Sequence, residues 1–244
     1  MVAHVVVALC DNLHQGIQPV PDFLGKGDDP DGILYWGAMF GVRYSLVKEG
    51  GWRKVAHDGP KPEGVLERLI LRRTTVRADG ATAQAFIVAD AWEGRRIQAA
   101  TRAFLTMAGG GAKETIQARG EDDGISLAAG GSAHLVAYVG HNGLMDFSMP
   151  AGLKPEPPNP ATSAILLACK SKSYFEDFLN RSGAHPLLLT NGLMAPEAYT
   201  LDSALKSWLA GEDAAQTHEA AAQAYHRHQE CGIRGARWLF HHAL

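Results

Sequence analysis

A chain of 244 residues, 46% hydrophobic and 20% charged, has the composition of an ordinary globular protein, which excludes disordered, collagen-like and disulfide-framework classes. Twenty-three Lys and Arg against 26 Asp and Glu leave a formal charge of -3, so there is no basic footprint for a nucleic-acid backbone and no such partner is expected. The length reads as one compact domain over residues 1–244.

The opening MVAHVVVAL lacks a charged n-region and ends at Cys10-Asp11-Asn12, too early for a signal peptide. No uncharged apolar stretch approaches the roughly 18 residues of a membrane span, so the expectation is a cytoplasmic protein with no membrane partner. Residues 5–9 are continuously apolar, as in a central strand buried on both faces. A Gly-, Pro- and Asp-rich loop follows, then helical spacing of Leu34, Phe40, Tyr44 and Val47 predicts a helix over 33–48. Residues 65–76 read as an edge strand or a short helix. Residues 85–89 (AFIVA) read as a second buried strand, followed by a helix over 96–107 that Gly109-Gly110-Gly111 ends. The polar, Gly-rich stretch 112–131 reads as a variable excursion. Three further apolar runs, HLVAYV, AILLA and PLLL, alternate with helical segments at 173–179, 196–209 and 214–228. Strands alternating with helices predict an α/β fold whose largely parallel sheet is covered on both faces.

In such sheets a ligand binds at the carboxyl ends of the strands. The residues that follow the strands are therefore candidates: Asp11 and Asn12, Asp90, His141 with Asn142 and Gly143, Cys169 with Lys170 and Ser171, and Asn191. His141 and Cys169 follow two buried strands, so both side chains are expected at one sheet edge. A thiol beside an imidazole gives an activated nucleophile. The bland alternative is a packed thiol and a hydrogen-bonded loop histidine. Cys10, with no base attached by motif, reads as core, and Cys231 as incidental. An odd number of cysteines without zinc-like spacing suits free thiols in a reducing compartment. His226 and His228 point to different helical faces, His241-His242 reads as tail, and GGGAK lacks a phosphate-loop frame, so no metal or cofactor is expected.

HLVAYVGHNG and AILLACKS resemble the paired signatures of the clan CD cysteine peptidases, the superfamily of caspases, legumains, gingipains and separases. The likeness covers residues 133–190. It implies a caspase-like three-layer fold and a Cys-His dyad acting through a thioester acyl-enzyme on a peptide or amide substrate. In that superfamily His and Gly are adjacent, and the glycine amide commonly stabilises the oxyanion; here Asn142 intervenes, so Gly143 or Asn142 would supply that donor. VGHNGLMDF, ACKSKSYF and TNGLMAPEAYTL also resemble blocks of an uncharacterised bacterial family, which brings no substrate. Asp11, Asp90 and Asp146 are expected to form an acidic pocket for a basic substrate group, with Asn12, Asn142, Lys170, Ser171 and Asn191 as further binding residues. A catalytically silent binding module and a small-molecule amidohydrolase are the competing readings. Oligomeric state is left open by the sequence.

Overall fold

The computed structural model describes residues 1–119, 124–149, 152–153 and 162–242. In chain order its elements are β1 (Val2–Ala8), α1 (Val42–Lys48), β2 (Arg53–Val55), β3 (His57–Asp58), β4 (Val65–Val76), β5 (Thr82–Trp92), α2 (Ile97–Ala108), β6 (Lys113–Arg119), β7 (Gly124–Gly130), β8 (Leu135–Gly140), β9 (Ser163–Leu167), α3 (Ser171–Ser182), β10 (His185–Thr190), α4 (Ala198–Ala210), α5 (Ala214–Gln229), α6 (Ile233–Leu239) and β11 (Phe240–His241). An eight-stranded sheet has the order β11-β10-β9-β8-β1-β5-β4-β2, and a three-stranded sheet the order β3-β6-β7. Strands β10, β9, β8, β1 and β5 are parallel. Strands β4, β2 and β11 join antiparallel at the two sides.

The continuous apolar runs become the central strands because both of their faces are covered. Every residue of β1 and β8 is buried. Val5 and Val7 face a core shared with α1, α4, α5 and α6, whereas Val6 and Ala8 face α2, α3 and the small sheet. At roughly 1.5–3 kcal/mol per fully buried aliphatic side chain, this two-sided burial fixes the strands. No helix among the described residues is long and apolar enough to cross a membrane.

Three local expectations change. The stretch expected to be helical over 33–48 is helical only in α1, from Val42 onwards. Its first half is a run of turns in which Tyr35 and Phe40 take positive φ of 76° and 67°. Gly41 is packed so closely that a Cβ there would meet the Trp36 backbone, and a regular helix cannot reproduce that approach. Of the two alternatives for residues 65–76 the strand is formed, twelve residues paired with β5, but it is not the sheet's edge, since β2 pairs outside it at Ile70–Arg72. Within the supposed excursion 112–131, β6 and β7 pair antiparallel with Ile116, Ala118, Leu127 and Ala129 buried.

The small sheet is tied to the large one through a buried charge cluster. Arg68 on β4 donates Nε and Nη2 to the Asp90 carboxylate on β5, both at 2.7 Å, and Nη1 to Glu114 on β6 at 2.6 Å. His4 on β1 lies 3.1 Å from Asp90 through Nε2, and its Nδ1 accepts the Gly130 N–H at 2.9 Å. Burial acts to raise the Asp90 pKa, but the hydrogen bonds and charge of Arg68 and the hydrogen bond from His4 outweigh it and hold the carboxyl at about 2. Asp90 therefore belongs to the interior: β5 continues to Trp92, so the residue expected after the strand lies within it.

Candidate active site

Strand order reverses around β1, with β5 on one side and β8 on the other, and a crevice at such a point is where open α/β sheets bind ligands. A cavity of about 360 Å³ opens there, walled by the loop after β1 (Gly16, Ile17, Gln18), by Gly140 and His141 at the end of β8, by Cys169 beyond β9, and by Leu193, Met194 and Pro196 beyond β10. Tyr35 and Met145 complete it. The thiol and imidazole expected at one sheet edge thus wall the same cavity.

His141 is oriented by its own loop. Residues Gly143–Met145 form a 3-10 turn, which folds Asp146 back so that its Oδ2 lies 2.7 Å from His141 Nε2 and also accepts the Gly16 N–H at 2.9 Å. An ionised carboxylate only accepts, so the ring proton resides on Nε2 and the Nδ1 lone pair is left to receive a proton. Nδ1 has no hydrogen-bond partner among the described residues. The Tyr138 hydroxyl donates to the His141 carbonyl at 2.8 Å, fixing the backbone beneath the ring.

Cys169 is half-buried in a tight strand-to-helix turn. Lys170 next to it takes φ 51° and caps α3, an unusual conformation for a residue with a side chain. α3 begins two residues after Cys169, so its positive dipole end lies close in the chain to the thiol. Cys169 Sγ accepts from Met194 N at 3.4 Å and donates to Met194 O at 3.6 Å. The Asn142 side chain, fully buried, donates Nδ2 to the Cys169 carbonyl at 2.7 Å and accepts the Leu144 N–H at 3.1 Å. That pair of bonds ties the loop after β8 to the turn after β9. The backbone N–H groups of Asn142 and Cys169 donate to no acceptor among the described residues.

Several expected site residues are placed elsewhere. The acidic pocket does not form: Asp90 is interior, Asp146 is engaged by His141, and Asp11 accepts from Leu13 N, His14 N and the His14 ring within its own loop. Asn12 clamps that loop through both backbone polar groups of Val20. Ser171 is buried and bonds Leu166 O and the Thr190 hydroxyl, so it holds the turn rather than a ligand. Asn191 donates to Trp238 O at 2.8 Å, and the Lys170 side chain is exposed. Gly143 does not wall the cavity; a Cβ on it would lie 2.6 Å from the Phe147 ring, so its α-carbon faces the α2 side.

Tyr35, Ile17 and the 193–196 segment are not marked by the sequence, because they come from loops that only the fold brings together. Burial pushes the Tyr35 phenol up, with the Cys10 and Cys169 thiols adding to the shift, which keeps it a neutral hydroxyl at the cavity wall. Cys10, behind it, is fully buried and pushed up to about 11 by burial and Asp11. Cys231 is exposed, and His228 stacks on Tyr199 at 3.9 Å between ring centroids. Comparison with protein-family models, with curated proteins and with solved structures finds no match for this chain.

Proposed function

We propose that this protein is a cysteine-dependent hydrolase of caspase-like fold that cleaves a peptide or related amide. The observation that carries the reading is the shared cavity: Cys169 and His141 both wall it, and Asp146 holds His141 with Nδ1 unpaired among the described residues. His141 Nδ1 takes the thiol proton as Cys169 Sγ bonds to the substrate carbonyl carbon. The C–N bond then breaks, the departing amine takes the proton from His141, and water hydrolyses the resulting thioester to a carboxylic acid and the free thiol. The developing oxyanion is held by the N–H groups of Cys169 and Asn142, at a spacing that the Asn142 side-chain bond to Cys169 O maintains. The Gly143 N–H, likewise without an acceptor among the described residues, is the alternative donor from the same loop. A free thiol nucleophile suits a reducing compartment such as the cytoplasm.

A second reading, a catalytically silent module, draws on the Cys169 thiol being hydrogen-bonded to the Met194 backbone and not to His141. Iodoacetamide labelling followed by peptide mass spectrometry separates the two. The hydrolase reading expects Cys169 to be alkylated faster than Cys10 and Cys231, and His141→Ala to slow it by roughly tenfold or more. Labelling at Cys169 no faster than at Cys231, and indifferent to His141, overturns it.

A further inference from the structure

Among the described residues, the wall of the cavity beside Cys169 carries no carboxylate, lysine or arginine; Asp146 lies behind it, bonded to the wall residues His141 and Gly16. Besides His141, its polar side chains are Gln18 and the neutral phenol of Tyr35; the rest is Ile17, Met145, Leu193, Met194, Pro196, Cys169 and glycine backbone. A charged substrate group placed there would lose water and find no opposite charge in the wall itself, the Asp146 carboxylate being already engaged by His141 and Gly16, a loss that general transfer behaviour makes unfavourable. An apolar side chain gains from the same burial.

The apolar surface also continues outward from the cavity. Leu193 at its mouth is 67% exposed and Met145 40% exposed. Next to Leu193, a Cβ on Gly192 would lie 3.1 Å from the Trp238 ring, and Trp238 is itself 67% exposed. Large apolar side chains left open at the rim of a cavity mark a surface that a ligand covers. Two exposed apolar side chains thus lie beyond the cavity, Leu193 at its mouth and Trp238 against the neighbouring Gly192, which fits an extended peptide better than a compact amide.

Building on the cysteine-hydrolase reading, we propose that the substrate is a peptide carrying an uncharged apolar residue beside the scissile bond, seated in the cavity, with a second apolar residue lying on Leu193 and Trp238. This replaces the acidic pocket expected from the sequence with an apolar one. Leu193 then sets the chemistry at the mouth, since it is exposed and makes no part of the catalytic geometry.

The test reads binding separately from catalysis. Fluorescently labelled, amide-capped pentapeptides with Leu, Arg or Asp at the central position are titrated against Cys169→Ala by anisotropy. The leucine peptide is expected to bind at least roughly tenfold tighter than the other two. Leu193→Arg, a surface change that does not touch the packed core, is expected to weaken the leucine peptide and to favour the aspartate one. Equal or tighter binding of the charged peptides, no binding of any peptide, or insensitivity to Leu193→Arg overturns the proposal. Alkylation of Cys169 in the unsubstituted protein is followed in parallel, so a failed nucleophile and a failed apolar preference give different results.

Discussion

Asp146 lies five residues beyond His141, and its function depends on one turn of 3-10 helix. That turn closes because Asn142 accepts the Leu144 N–H and Gly143 O accepts from Asp146 N and Phe147 N. The carboxylate then fixes the imidazole tautomer, while the Gly16 N–H fixes the carboxylate. Asp146→Asn keeps the shape of the side chain but can present its NH₂ to the ring, reversing the tautomer. We expect kcat on a cleavable peptide to fall by roughly 10²-fold or more with little change in KM, the pattern of a lost orienting carboxylate. Gly16→Ala should act on the same group from the other side, because its Cβ would run into the Asp146 carboxylate. Steady-state kinetics on both variants checks the assignment; unchanged kcat in a folded Asp146→Asn protein removes Asp146 from the machinery.

At the scale of elements, the two sheets depend on a cluster that looks costly in isolation. Arg68, Asp90 and His4 are buried, and each is bonded, so the desolvation of one is offset by its neighbours. Asp90→Asn leaves the Arg68 guanidinium without a buried counter-charge and is expected to cost roughly 3–5 kcal/mol in urea unfolding. The pH dependence follows from the direction of the shift. The Asp90 carboxyl is held at about 2 against an ordinary 3.8, so its contribution is complete above the ordinary value and is lost as pH falls from about 4 towards 2. Urea midpoints measured at pH 6, 4 and 3 should therefore fall less steeply across that window in Asp90→Asn than in the unsubstituted protein. An identical acid loss in the variant would assign the acid sensitivity to other groups.

Over the whole molecule, the thiols report different depths. Cys10 closes the end of β1 under Tyr35, has no exposed surface and is pushed up to about 11, so its modification requires the sheet to open. The rate of Cys10 labelling should rise with urea in step with global unfolding followed by circular dichroism, whereas Cys231 reacts without denaturant. Prompt labelling of Cys10 in buffer would show that the loop carrying Tyr35 opens on its own.

The sequence by itself determined the parallel core of β1, β5, β8, β9 and β10, because strands buried on both faces must be written as continuous apolar runs. It also placed His141 and Cys169 at the carboxyl edge, since strand direction in a parallel sheet leaves no other end for them. It did not reveal β6 and β7, whose outer faces meet solvent and whose buried positions include small alanines, so their alternation is faint. The turns over 33–41 were read as helix because the spacing of apolar residues says nothing about the tight backbone approach at Gly41. Only the tertiary structure decided that Asp90 is an interior counter-ion, that Asp146 serves His141, and that the cavity wall is apolar. These properties depend on which side chains from distant loops meet across one crevice, and that proximity is set by the packing of the sheet and not by any local pattern.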